Sequence, residues 1–280
     1  DDSERRRPTA SARGVDCRAA IRTASRALSK PDRQTMTEPR PTLLVFTRAP
    51  ETESARRRLL PTRLAGGARA LLERSLVAAI EAGREGGCRL EVSSPRALAA
   101  IPGAGAVPQR GRTFGERFRN AFADARARAR GAVVAVGSDV PGLAGRHVRA
   151  ALERLGDRRD RVVVGPSPDG GFYLLASHRP LDAELGRVRW CTRHALDSLL
   201  AALRASGLEV RLLEPLRDLD RPQDLRAWLA REARAASRWR DLIEQLRAQL
   251  ADLCRPLTPT IAIPVCGLER TCLVGRCPPR

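Results

Sequence analysis

One stretch decides the fold that we expect, AVVAVGSD at residues 132–139, which VPGL follows at 140–143. Its first five residues are apolar and rich in valine, as is typical of a strand buried on both faces of a parallel sheet. Gly137 and Ser138 end this strand, and Asp139 stands where it stops. Ligands of open α/β sheets bind at the carboxyl ends of the strands. Asp139 is therefore placed either to hold a divalent cation against a phosphate or to cap the next turn.

On both sides of this stretch, strand-like and helix-like patterns alternate. We predict further strands at residues 42–46, 88–92, 107–109, 161–165, 172–176 and 209–213. We predict helices at residues 68–82, 145–155, 191–206, 222–235 and 239–253, and one that begins at Thr113 and turns Phe114, Phe118 and Phe122 towards the core. This alternation predicts an α/β fold whose mainly parallel sheet is covered on both faces.

Composition divides the 280 residues into four parts. Residues 1–40 show little apolar periodicity, and we expect them to be disordered or to precede a true start at Met36, the only methionine. Residues 41–236 hold the alternating pattern and form the α/β domain. Residues 237–253 form an accessory helix whose leucines suit docking or dimerisation, and residues 254–280 form an irregular tail.

The strongly basic composition is a weak argument for nucleic-acid binding. The net charge is +19, but only Lys30 of the 51 basic residues is lysine, and the arginines are scattered along the chain. This pattern is typical of a codon bias towards arginine. Aromatic residues make up 3%, which is too few for a base-stacking platform. Nucleic acid is therefore a disfavoured partner, and a basic binding module is only our third hypothesis.

The sequence lacks the patterns that are typical of several other classes of protein. It has no apolar run of about 18 residues and no secretory apolar segment at the start given, so we expect a cytoplasmic protein without a membrane partner, either a monomer or a homodimer. The seven cysteines are odd in number, and four of them are far apart, unlike a disulfide framework. The other three cluster in the tail without the C-x-x-C pairs of a zinc site. Neither a P-loop nor a Rossmann glycine fingerprint is present.

Residues suited to chemistry follow the other predicted strands. Arg48 and the run at 56–58 follow the first strand, and guanidinium groups clamp phosphates, although an arginine-rich chain also has solvated arginines. The stretch 169–171 (DGG) lets the backbone approach a ligand or simply makes a tight turn. In the stretch 218–225 (DLDRPQDL), Asp220 with a following proline favours a helix cap.

Taken in order, these motifs resemble the DUF2064 family of small bacterial proteins. FTRAP at 46–50 with RRRL at 56–59 is similar to the family's F-T-K-A-P…K-T-R-L, and GSDVP at 137–141 to its G-S-D-x-P. TFGER at 113–117, DGGFYL at 169–174 and DLDRPQDL at 218–225 match its other motifs. The resemblance implies a glycosyltransferase-A-like (Rossmann-like) three-layer sandwich, related to nucleotide-diphospho-sugar transferases and to molybdenum-cofactor and phospholactate guanylyltransferases.

The resemblance also implies roles for individual residues. Asp139 and Asp169 are the catalytic residues and would hold Mg²⁺ or Mn²⁺, with Asp169 alternatively orienting the acceptor as a base. The expected nucleotide and phosphate ligands are Arg48, Arg56, Arg58, Glu116, Arg117, Gly170 and Gly171.

The function implied is a metal-dependent glycosyltransferase, which moves a sugar from a nucleotide-diphospho-sugar to a small acceptor. The alternative on the same fold is a nucleotidyltransferase, which takes an NTP and a phosphorylated acceptor and releases pyrophosphate. Fold alone does not separate the two reactions. A non-catalytic relative is grouped with the basic binding module as the third hypothesis.

Overall fold

The computed structural model describes residues 40–48, 65–95, 101–232 and 239–254. Within these ranges the strands are β1 (Thr42–Phe46), β2 (Arg89–Ser94), β3 (Ala104–Pro108), β4 (Val133–Gly137), β5 (Arg161–Pro166), β6 (Phe172–Ser177) and β7 (Glu209–Leu212). The helices are α1 (Ala65–Glu85), α2 (Phe114–Arg128), α3 (Gly145–Leu155), α4 (Asp182–Leu185), α5 (Ala195–Ala205), α6 (Pro222–Glu232) and α7 (Arg240–Cys254).

All seven strands form one sheet in the order β3-β2-β1-β4-β6-β5-β7. Strand β1 pairs in parallel with β2 and β4, so that Leu44 lies opposite Glu91 on one side and Ala135 on the other. Strand β6 runs antiparallel to both β4 and β5, whereas β7 is parallel to β5. Six strands therefore point one way and β6 points the other, which confirms a mainly parallel sheet.

The reversal of β6 follows from the length of its connection. Only residues 167–171 separate β5 from β6. A parallel pair needs a crossover of about a dozen residues or more, whereas a short turn joins antiparallel neighbours. The carboxyl end of β5 and the start of β6 consequently meet at the same edge of the sheet, beside the end of β4.

Helices cover both faces of the sheet. Leu43 and Leu44 are adjacent in β1 and both fully buried, but they point to opposite faces. Leu43 belongs to a core cluster with residues of α1 and α3, whereas Leu44 packs with α2, α4 and α5. The predicted three-layer sandwich is confirmed. None of the helices in the described ranges is long and apolar enough to cross a membrane.

Helix α7 packs against α1 and α6 of its own chain. Trp239 and Leu246 are buried in a third core cluster that also contains Leu71 of α1 and Trp228 of α6. The rings of Trp228 and Trp239 meet edge to face at 5.3 Å. Of the two roles considered for the accessory helix, docking within the chain is the one seen here.

Two local predictions differ from the structure. Helix α5 begins at Ala195, four residues later than predicted, because Cys191 has a left-handed φ of 59°, which an α-helix cannot contain. The short helix α4 was not expected, since four residues show no periodicity. The expected N-terminal extension up to residue 39 and the tail beyond residue 254 lie outside the described residues.

Candidate active site

Loops from four strands enclose a cavity of about 820 Å³ at the carboxyl edge of the sheet. The loops follow β1, β4 and β7, and the fourth joins β5 to β6. This volume falls within the range of about 300–1,000 Å³ that is usual for small-molecule sites. One part of the cavity is lined by four carboxylates: Asp139, Asp169, Asp218 and Asp220.

Asp139 depends on the glycine that precedes it by two residues. A β-carbon added to Gly137 would lie 2.6 Å from Oδ1 of Asp139, so the carboxylate rests against the bare backbone at the end of β4. The adjoining hydroxyls of Ser138 and Thr47 are 2.6 Å apart and hydrogen-bonded, which ties this loop to the end of β1. The strand end predicted to carry Asp139 thus lies where it was expected.

The segment that carries Asp218 and Asp220 is attached directly to the Asp139 loop. The amide of Leu219 donates a hydrogen bond to the carbonyl oxygen of Asp139 at 3.0 Å. The Leu219 side chain is fully buried in the third cluster, which anchors the segment from below. Carboxylate oxygens of Asp139, Asp218 and Asp220 lie within 4.8 Å of one another.

This carboxylate set fits a divalent cation of the hard class. Oxygen ligands from carboxylates are what Mg²⁺ and Mn²⁺ prefer. Burial raises the pKa of Asp218 to about 8, and the three neighbouring carboxylates add to the shift. Three acidic groups held this close repel one another unless a proton or a cation lies between them. Asp139, Asp218 and Asp220 are therefore the residues that would hold the metal.

Asp169 lies in the same cavity but is arranged differently. Its Oδ1 accepts a hydrogen bond from the amide of Gly171 at 2.9 Å within the β5–β6 turn. Its charge contributes to the raised pKa of Asp218, so the two carboxylates share one electrostatic environment. The side chain is exposed. Its predicted role as a metal ligand or as a base stays a prediction.

Gly170 and Gly171, the two glycines after Asp169, have different surroundings. Gly170 has a φ of +92°, and a β-carbon there would lie 2.0 Å from the carbonyl oxygen of Arg193. Its missing side chain makes room for the protein's own backbone, and its carbonyl accepts from the Leu196 amide at 2.8 Å. Gly171 lines the cavity, and its predicted role of leaving room for a substrate stays a prediction.

Glu116 and Arg117 lie at the start of α2, outside the cavity lining. Glu116 forms a capping box, in which Thr113 Oγ1 accepts from its amide and its Oε2 accepts from the amides of Arg112 and Thr113. These two backbone hydrogen bonds lower the pKa of Glu116. Arg117 donates from Nη1 to the carbonyl of Arg112 at 3.0 Å. Helix capping accounts for Glu116, and its predicted contact with a nucleotide stays a prediction.

Arginines line the cavity together with the aspartates. Arg48 lies just after β1, where Gln109 holds the preceding backbone by donating to the carbonyl of Thr47 at 2.8 Å. Arg56 and Arg58, the other expected phosphate ligands, lie outside the described residues. The structure adds three cavity arginines that the sequence did not single out: Arg193, Arg217 and Arg221.

A family model described as "Uncharacterized protein conserved in bacteria (DUF2064)" matches residues 72–192. The resemblance to DUF2064 is confirmed. The DUF2064 match spans somewhat less than half of the chain and contains Asp139 and Asp169, but it ends before Asp218 and Asp220. Of the three aspartates suited to a metal ion, Asp139 therefore lies inside the DUF2064 match, and Asp218 and Asp220 lie beyond it. No curated protein matches the chain.

Several solved structures resemble this chain. A "putative nucleotide-diphospho-sugar transferase" from Desulfovibrio desulfuricans G20 is 21% identical, with a TM-score of 0.64, 76% of this chain covered and 97% of that one. Rv0371c of Mycobacterium tuberculosis H37Rv, in complex with manganese, is 21% identical (TM-score 0.44; 67% and 97% covered). A nucleotidyl transferase from Methanothermobacter is 16% identical (TM-score 0.45; 68% and 95% covered). The first of these structures, with a TM-score of 0.64 and 21% identity, shows a shared fold and no more.

Sequence reasoning missed Asp218 and Asp220 as site residues. Their spacing in DLDRP also suits a helix cap, and that interpretation was favoured. The sequence signal that could have identified them is their position after β7, which ends at the same edge of the sheet as β4. Two acidic residues separated by one residue tend to share a side of an extended segment. That spacing allows both carboxylates to reach a single ion.

Proposed function

We propose that this protein is a metal-dependent transferase, which moves a sugar from a nucleotide-diphospho-sugar to a small acceptor. One observation carries the proposal: the carboxylates of Asp139, Asp218 and Asp220 share a cavity with the guanidinium group of Arg48. Acidic oxygens beside a phosphate-binding cation are what a metal–diphosphate complex requires. The family and the fold are compatible with this reaction, although fold alone does not establish it.

Each part of the cavity has a stated task in the proposal. Asp139, Asp218 and Asp220 hold Mg²⁺ or Mn²⁺, which when bound neutralises the charge that develops on the leaving diphosphate. Arg48 contacts the phosphates, and the same role is proposed for Arg56 and Arg58, which lie outside the described residues. The exposed carboxylate of Asp169 orients the acceptor hydroxyl and accepts its proton. Gly171 leaves space beside it for the acceptor.

A second candidate is a nucleotidyltransferase that joins an NTP to a phosphorylated acceptor. The observation that favours it is the presence of Arg193 and Arg221 in the cavity lining, since both side chains are exposed. Arg217 is paired with Asp224 at 2.8 Å, and Arg193 donates from Nε to Nε2 of His194 at 3.1 Å. A phosphorylated acceptor would need cationic groups of this kind on its own side of the site.

Product analysis separates the two reactions. The full chain is incubated with Mn²⁺ and a panel of nucleotide sugars or NTPs, after a thermal-shift screen has selected the nucleotides that stabilise it. Free nucleoside diphosphate from a nucleotide sugar supports the first proposal, and pyrophosphate from an NTP supports the second. The Asp218→Asn variant should lose the product, whereas Asp157→Asn, at an exposed turn after α3, should keep it. If no nucleotide stabilises the protein, both proposals fail.

A further inference from the structure

Most of the aromatic residues of this chain are gathered in the same cavity. The whole sequence contains five phenylalanines, three tryptophans and one tyrosine. Six of these nine line the cavity: Phe46, Phe114, Phe118, Phe172, Tyr173 and Trp190. They come from four separate regions of the sequence, so the fold has brought together a residue type that is scarce elsewhere in the protein.

The rings are packed around Trp190. Its ring centroid lies 5.5 Å from that of Phe114, 5.1 Å from Phe118 and 5.6 Å from Phe172, all at tilted angles. Phe118 is buried in the core, whereas Phe114, Phe172 and Trp190 are half-buried and line the cavity. These three rings therefore offer apolar aromatic surface to whatever enters.

The orientation of Trp190 is fixed by contacts on its far side. The indole Nε1 donates a hydrogen bond to the carbonyl of Leu185 at 3.1 Å, which directs the polar edge into the protein. The indole also lies against Gly115 of α2, where an added β-carbon would be 2.2 Å from Cδ1. An indole that is held on its polar edge and along one side presents a rigid apolar surface, which is the arrangement that binds flat ligands.

Packing against the core does not explain why part of each of these rings is exposed. Removal of apolar surface from water contributes about 25 cal/mol per Å², and the core beneath is already filled by Phe118 and Phe122. A ring that served only the core would gain by being covered. Phe172 directly follows Gly171 in the sequence, and all three partly exposed rings line the cavity that holds the carboxylates. They would thus be covered by a substrate that reaches the carboxylates.

We propose that Phe114, Phe172 and Trp190 form a ring subsite, which binds a planar ring of the substrate by stacking. The ring comes either from the nucleobase of the donor or from an aromatic acceptor, and the chemistry of recognition is the same for both. Aromatic side chains bind nucleobases and other planar rings by stacking on their faces. The inference rests on the proposed function only in taking this cavity as the substrate site.

Ligand-observed saturation-transfer NMR tests the ring subsite without metal or phosphate. The aromatic probes are uridine, guanosine and 4-nitrophenyl β-glucoside, with methyl β-glucoside as the matched probe that has no planar aromatic ring. Each is added to the full chain and to the Trp190→Leu, Phe172→Leu and Phe122→Leu variants. Phe122 is fully buried and outside the cavity lining, so its variant controls for a general loss of packing. Circular dichroism melting confirms that each variant is folded.

We expect saturation on the ring protons of at least one ring-bearing probe and none on methyl β-glucoside. The signal should fall at least fivefold in Trp190→Leu and in Phe172→Leu and persist in Phe122→Leu. Binding of a nucleoside identifies the nucleobase as the ring, whereas binding of the nitrophenyl probe alone identifies the acceptor. The inference is overturned if no ring-bearing probe is saturated, or if both cavity variants keep the signal. Because metal and phosphate are absent, either result is independent of the proposed transfer reaction.

Discussion

The amide of Leu219 donates a hydrogen bond to the carbonyl oxygen of Asp139 at 3.0 Å, and this contact joins two distant parts of the chain. It links the end of β4 to the segment between β7 and α6. Leu219 is buried, so the residues on each side of it, Asp218 and Asp220, remain beside Asp139. The carboxylate set is therefore built by backbone geometry and by a buried leucine as much as by the acidic side chains.

A methyl group at residue 137 should displace Asp139 without unfolding the protein. The β-carbon of Gly137→Ala would come 2.6 Å from Oδ1 of Asp139, so the flexible end of that side chain must move. We expect metal affinity to fall about tenfold, or about 1.4 kcal/mol, with little change in melting temperature. Isothermal titration with Mn²⁺ measures the effect. Gly66→Ala is the control, since an added β-carbon there has no neighbour within 4 Å. An unchanged affinity in Gly137→Ala would show that the position of Asp139 is immaterial.

The stability of the metal-free protein should depend on pH through Asp218. Its pKa is raised to about 8, above the ordinary value of an aspartate, so the native state binds its proton more tightly than the unfolded state does. The stabilisation that comes from the tighter binding of this proton is fully present below about pH 4 and is lost as the pH rises towards 8. Asp218→Asn cannot ionise, and at pH 8 we expect it to be more stable than the wild type by at least about 1.4 kcal/mol, the equivalent of one pKa unit.

Thermal unfolding at pH 5 and pH 8, with a chelator present, measures this difference. The gain in Asp218→Asn should be larger at pH 8, with a shift of about 2–4 °C per kcal/mol for a domain of this size. Asp157→Asn, at an exposed position, should show no such difference between the two pH values. An equal gain in melting temperature at both pH values would show that ionisation of Asp218 is not the cause of the gain.

Helix α7 should stabilise the fold through its buried face. Leu246 is fully buried in the cluster shared with α1 and α6. Leu246→Ala leaves a cavity there, and we expect the free energy of unfolding to fall by about 2–5 kcal/mol. Urea unfolding measures this loss, and Gln245→Ala, on the exposed side of the same helix, should change it by less than about 0.5 kcal/mol. A loss below about 1 kcal/mol for Leu246→Ala would mean that α7 contributes little to the core.

Much of the architecture could be predicted from local patterns. The valine-rich stretch before Asp139 indicated a buried central strand, and β4 is that strand, paired with β1 and β6. The direction of β6 was not specified, because it depends on the short turn that connects it to β5. The late start of α5 was missed since the left-handed backbone of Cys191 has no signature in side-chain periodicity.

The candidate site was only partly predictable for a similar reason. Asp139 could be placed because a strand end determines its position in any parallel sheet. The sequence favoured a helix cap for Asp220, and only the hydrogen bond between Leu219 and Asp139 shows which carboxylates converge. Aromatic residues far apart in sequence, such as Phe172 and Trp190, likewise carry no pattern that predicts their assembly in one cavity.

The central claim is that Asp139, Asp218 and Asp220 together hold a divalent cation. Electron paramagnetic resonance detects the free Mn²⁺ as the ion is titrated into the full chain at pH 8, and the bound ion is the difference from the total added. We predict one ion per chain, an affinity at least about tenfold weaker in Asp139→Asn and in Asp218→Asn, and an unchanged affinity in Asp157→Asn. Wild-type protein that binds no Mn²⁺, or an Asp139→Asn variant that binds it as tightly as the wild type, would contradict the claim.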